Sequence, residues 1–218
     1  MTARPIRRLA TAAVAVTLGA GLAAAPLSAA QAHDDAARKA GTKSLAAVLG
    51  ADGTKFDKNA QDFDILEAAV NAVLAEKPDS PVGLVADGKT RLTLFAPTDL
   101  AFERLVKDLT GKTPKSEAAT VKAITGAFDI DTIESVLLYH VVPGKTLTSG
   151  KVLAAAKDRA TVTTATGAKL RVLPNPKPAS LQDADKNDKN ARVVKVDINK
   201  GNRQVAHAIN RVLRPVDL

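Results

Sequence analysis

Cysteine is absent from the 218 residues, which excludes disulfides, thiolate zinc sites, iron–sulfur ligation, a cysteine nucleophile and lipid acylation at cysteine. Tryptophan is absent too, tyrosine occurs once, and aromatics reach only 3%, leaving little from which to build stacking platforms for single-stranded nucleic acid. Three histidines, His33, His140 and His207, offer little to metal or acid–base chemistry. The chain carries no P-loop, H-E-x-x-H, G-x-S-x-G elbow or Gly-rich dinucleotide fingerprint. No cofactor, no metal and no catalytic residue are expected. What is present is ordinary for a globular chain: 45% apolar and 25% charged residues, enough to bury a full core.

Arg4, Arg7 and Arg8 precede an apolar run from Leu9 to about Ala25, and Ala30-Gln31-Ala32 supplies a small-residue cleavage site. This pattern predicts a secretory signal peptide over residues 1–32, cut after Ala32. A membrane anchor fits less well, because Gly19, Gly21 and Pro26 interrupt a run shorter than the ~20 apolar residues of a span. Arg7-Arg8 permits either the general secretory or the twin-arginine route. No second run approaches membrane length, so the mature chain is expected outside the cell, released or retained on the envelope. Losing three Arg and no acid lowers the net charge from +8 to +5. That modest excess favours solubility and anionic polymers, and no nucleic-acid-binding signature accompanies it.

Residues 33–43 read as a flexible lead-in to one domain over residues 44–218. Ser44 opens a short helix, and Asp62 or Asp64 a longer one with Leu66, Ala69, Val70, Val73 and Leu74 on one face. A strand over 90–95 runs into a helix capped by Thr98 and bearing Phe102, Leu105 and Val106. Asp131-x-x-Glu134 has the form of a capping box, and Thr148 or Ser149 caps another helix. Residues 161–165 and 169–173 form a hairpin, 194–198 alternates as a half-buried strand, and a last strand follows from Gln204. Stretches near 110–129 and 174–190 read as inserted polar loops. Helices first and strands later, without βαβ rhythm, argue an α+β fold with an antiparallel sheet.

Two stretches invite chemistry. Asp183-x-Asp185-x-Asn187-Asp188 begins like a calcium loop, but the required Gly and Glu positions hold Asp188 and Val194, which favours a solvated turn. The four lysines between Lys107 and Lys122 suit anionic glycans or a solvated connection.

Thr93-Leu94-Phe95-Ala96-Pro97-Thr98-Asp99-Leu100-Ala101-Phe102, Leu137-Leu138-Tyr139-His140-Val141-Val142-Pro143-Gly144 and the segment from Val205 to Pro215 resemble, in order, the three motifs of the fasciclin (FAS1) domain family. With the leader, the resemblance implies a secreted bacterial member. It implies a FAS1-like wedge of antiparallel sheet or sandwich with several helices packed on one side. It also implies an adhesion or interaction module without catalysis, whose partners are extracellular or cell-envelope proteins or polysaccharides. The positions associated with binding match Tyr139, His140, Asp197 and Ile198. Phe95, Pro97, Thr98, Asp99, Phe102 and His207 match structural positions. Asn210 stands where the closing motif usually has Asp. The residues alone leave two alternatives: a carrier of a small apolar ligand, or a weak hydrolase with a His base.

Overall fold

Seven strands form one sheet in the order β2-β1-β7-β6-β5-β4-β3. They are β1 (Leu92–Pro97), β2 (Val141–Pro143), β3 (Thr161–Thr163), β4 (Lys169–Leu173), β5 (Ser180–Gln182), β6 (Ala191–Ile198) and β7 (Gln204–Ile209). All neighbours are antiparallel except β1 and β7, which run parallel with Phe95 opposite His207. This one parallel pair makes the predominantly antiparallel sheet a mixed one. It lies inside the sheet, flanked by β2 and β6, and every residue of both strands is buried, as parallel pairs require. This computed structural model describes residues 39–53 and 55–217. The expected leader, its cleavage point and His33 lie outside them.

Among the described residues, six α-helices accompany the sheet: α1 (Ala46–Leu49), α2 (Asp64–Glu76), α3 (Asp99–Thr110), α4 (Glu117–Ala127), α5 (Ile130–Tyr139) and α6 (Ser149–Lys157). Alternation along the central strands divides the core in two. Leu94, Ala96, Ala206 and Ala208 join apolar residues of α1 to α5 in one cluster. Phe95 and Ile209 join Tyr139, Val152, Leu170, Leu181 and Leu213 in the other. Helices α1 to α5 thus pack together against one cluster, as expected of several helices, while α6 contributes Val152 and Ala156 to the second. No helix among the described residues is long and apolar enough to cross a membrane.

Several local expectations need correction. The stretch near 110–129 is mostly helix: Ser116 accepts from Ala119 N–H, and α4 buries Thr120 and Ile124. Val121, Ile124 and Phe128 carry its sparse apolar spacing, diluted by Ala and Lys. The stretch near 174–190 contains β5, which pairs with both β4 and β6; its Leu181 and the preceding Ala179 are completely buried. A three-residue strand is too short to display a period of two. The lead-in is already fixed at Gly41, which exchanges backbone hydrogen bonds with Gly201 and Arg203 beside β7.

The caps differ as well. Thr98 makes no side-chain cap; its N–H continues the strand pairing by donating to Ile209 C=O. Helix α5 is capped by Asp129, which accepts from Thr132 N–H at 2.8 Å, while Asp131 and Glu134 both hold the Lys77 ammonium. Helix α3 ends where Gly111, at φ +70°, turns its N–H onto Lys107 C=O.

Candidate functional site

Tyr139 and His140 end α5, and both are buried, at 0% and 1% exposure. His140 Nδ1 lies 2.7 Å from Val136 C=O, and Nε2 accepts Leu213 N–H at 2.9 Å. The ring is therefore the neutral tautomer, protonated at Nδ1, and it ties α5 to the C-terminal segment. Its bond to a helix-end carbonyl follows from its position at the end of α5. Burial pushes the His140 pKa down to about 4, outweighing the bond to Val136. Tyr139 packs in the second core cluster, and burial, then the Asp183 carboxylate, push its phenol up to about 12.

His207 is likewise enclosed: Nε2 lies 2.6 Å from Leu147 C=O, and Nδ1 accepts Asp197 N–H at 3.3 Å. Its ring sits 6.0 Å from that of Phe95. Burial lowers its pKa despite the Leu147 carbonyl. Both imidazoles thus use both nitrogens on backbone, with no side-chain nucleophile bonded to either.

Asp197 sits at φ +61° near the irregular end of β6, where the register against β7 shifts twice. The turn aims its carboxylate at the start of α6, accepting from Ser149 N–H and Oγ–H at 2.6 Å each. Burial would raise its pKa, but the two Ser149 bonds and Lys200 outweigh it and hold the carboxyl low. Asp197 is therefore the cap that Thr148 does not supply. Ile198, half-buried, is instead part of a groove wall.

The remaining structural positions hold the centre together. Phe102 packs in the helical cluster, and Pro97 ends β1 opposite Ile209. Asp99 Oδ1 accepts Ile65 N–H at 3.0 Å, capping α2 from the start of α3. Asn210 Oδ1 accepts Arg192 N–H, a bond that needs an oxygen and no charge.

The acidic loop at 183–188 is neither a calcium loop nor a solvated turn. Arg214 reaches Asp185 at 3.2 Å, and Arg211 reaches Asp188 at 2.6 Å, with Asp108 bridging both arginines. Asp183 accepts Arg214 N–H, although burial, outweighing that bond, pushes its pKa up to about 6. Two guanidinium groups occupy the place of a cation.

Two concavities among the described residues bear on function. A mixed groove of about 660 Å³ runs between the segment at 59–63, the start of α3 and the β6–β7 bulges. Arg104, Lys195, Ile198 and Asn210 line it, and Val194 on its wall is 56% exposed. A smaller apolar cleft of about 270 Å³ lies among α1, α2 and β1, lined by Leu49, Leu66, Val70, Val82, Leu94 and Leu137. Sequence reasoning missed Arg104, Val194 and Lys195, whose residue types carry no signal of a groove.

It also missed a buried acidic group. One carboxylate oxygen from each of Asp62, Asp99 and Glu117 lies within 4.8 Å of the others, and Asp62 forms a second such triad with Asp57 and Asp64. Only the crowding of Asp57, Asp62 and Asp64 in sequence hinted at it.

No curated protein matches this chain in sequence. The solved FAS1 domain pair of the insect cell adhesion molecule Fasciclin I matches it at 15% identity and a TM-score of 0.48. That likeness covers 67% of this chain and 45% of the other, so this chain spans less than half of that structure's length. The family model for the fasciclin domain matches residues 64–215, from the first residue of α2 to beyond β7. The chain therefore belongs to the fasciclin domain family.

Proposed function

We propose that the protein is an exported, non-catalytic interaction module whose groove beside β6 holds an extracellular or cell-envelope protein or polysaccharide segment. The groove carries this reading: it is open, mixes aliphatic with cationic walls, and exposes Val194, whereas the Tyr139-His140 motif is buried. Fasciclin domains are adhesion modules, and a channel with Arg104 and Lys195 suits an anionic or hydroxylated strand. The test is retention on the native envelope fraction. Val194→Asp with Lys195→Glu should abolish retention while the melting temperature stays within about 2 °C of the parent. Unchanged retention refutes the groove as the contact. Export is checked by N-terminal sequencing of extracellular protein, expected to begin at His33; a chain starting at Met1 refutes cleavage.

The apolar cleft favours a second reading, a carrier of one small apolar molecule. Its ~270 Å³ approaches the lower end of ligand-sized cavities. A fluorescent fatty-acid probe should bind the parent and be excluded by Val70→Phe. Equal binding to both proteins refutes it.

A further inference from the structure

We propose that Asp62, Asp99 and Glu117 form a calcium-binding site at the junction of α2, α3 and α4. Asp99 is fully buried, Asp62 is 7% exposed and Glu117 3% exposed. Asp62 Oδ1 and Asp99 Oδ2 are buried with no hydrogen-bond partner, whereas Asp99 Oδ1 and Glu117 Oε2 accept Ile65 N–H and Asp57 N–H. An acceptor-only oxygen buried beside others of its kind is costly unless something positive lies between them.

A proton or a metal ion can fill that role. The Asp62 and Asp99 carboxyls stand close enough to share a proton. One proton, however, removes one of three charges, and Asp57 adds a further carboxylate near Asp62. Among the described residues, no Lys, Arg or His pairs with Asp62, Asp99 or Glu117. The contrast within the molecule is informative: the other acidic cluster, at Asp183 to Asp188, has Arg211 and Arg214 within ion-pair distance.

The donor set selects the ion. Carboxylate oxygens without nitrogen or sulfur suit hard cations. Oxygens within 4.8 Å of one another match ligands around an ion bound at about 2.4 Å, the calcium distance. Magnesium demands tighter octahedral geometry and sheds water reluctantly. Asp62 also lines the open groove, which gives the ion a route in. The site stands whether or not the groove holds a partner.

The test uses the folded chain stripped with a chelator, then titrated with calcium chloride and followed by calorimetry and thermal unfolding. Saturating calcium, about a hundredfold over Kd, should raise the melting temperature by about 5–10 °C, and magnesium by much less. Asp62→Asn and Glu117→Gln should each lose most of this rise. Asp62→Asn should also melt no lower than the parent in chelator, since it removes a repulsive charge. Asp185→Asn, in the guanidinium-filled cluster, should keep the calcium-dependent rise. A parent with no binding heat and no rise at 10 mM calcium overturns the proposal. So does a rise that survives in both Asp62→Asn and Glu117→Gln.

Discussion

Asp197 on β6 caps the helix that starts at Ser149, taking the Ser149 amide and hydroxyl at 2.6 Å each across 48 residues of chain. A position associated with binding by family resemblance thus has a defined load in the fold: it joins the sheet to α6. Asp197→Ala should destabilise the protein by about 1–2 kcal/mol, the cost of losing a helix cap. Asp197→Asn should lose less, keeping one acceptor. Its folded carboxyl titrates below the unfolded one, so its contribution is present above about pH 4 and lost as pH falls through the folded value. Urea unfolding at pH 7 and pH 3 should show the parent and Asp197→Ala converging in acid.

Tyr139 and His140 should behave as core residues. Truncating Tyr139 to Ala removes a fully buried ring and should cost about 3–5 kcal/mol. His140 gives a pH signature. Its pKa is about 4 folded and 6.5 unfolded, so the unfolded chain binds more protons between those values. The contribution of His140 to stability should therefore fall by a few kcal/mol as pH drops from about 6.5 to about 4. In His140→Gln that part of the slope should vanish. Because Asp99 acts with the opposite sign over part of this range, the reading is the difference between parent and His140→Gln, and a difference that is flat across this window contradicts the neutral buried tautomer.

These residues also mark what was legible in sequence. The α2 face, the β3–β4 hairpin and the strand running into α3 were readable because long apolar periods and turn residues agree with the final contacts. The burial of Tyr139-His140 was foreshadowed by Ile133, Val136 and Leu137 at helical spacing. Long-range polar partners were not readable. Gln204 donates to Leu84 and Asp87 carbonyls and accepts Leu45 N–H, stitching β7 to segments more than 100 residues away. Asp129 outcompeted the Asp131 box because Lys77, brought in by α2, claims both Asp131 and Glu134. No local pattern encodes such pairings.

Asp99 should give a slope of the opposite sign to His140. Burial, then the adjoining Asp62 carboxyl, raise its pKa from 3.8 to about 8. The folded chain then holds the proton more tightly, and the contribution of Asp99 to stability should decline as pH climbs from about 4 to about 8 in chelator. Asp99→Asn keeps the oxygen that accepts Ile65 N–H and adds an N–H toward Asp62. It should be at least as stable as the parent at pH 8 and should lose the decline. Thermal unfolding across pH 5–9 in both proteins checks this, and parallel curves would contradict it.

Arg214 should be among the least tolerant charged residues. Its side chain is 7% exposed and reaches Asp185, whose side chain is 0% exposed, while its backbone N–H donates to Asp183. Removing the guanidinium leaves Asp183, Asp185 and Asp188 crowded, with Arg211 alone to offset them. Breaking a buried pair from one side typically costs about 3–5 kcal/mol, because the surviving charge stays desolvated. Arg214→Met should show a loss of that size at pH 7. The loss should shrink toward pH 4, where Asp183, already pushed up to about 6, is protonated and the leftover charge is smaller. Adding Asp185→Asn to Arg214→Met should recover part of the stability, since it removes the carboxylate left without its partner. Chemical denaturation of the parent and the single and double variants measures all three effects. A double variant no more stable than Arg214→Met would place the arginine's role in packing and not in charge.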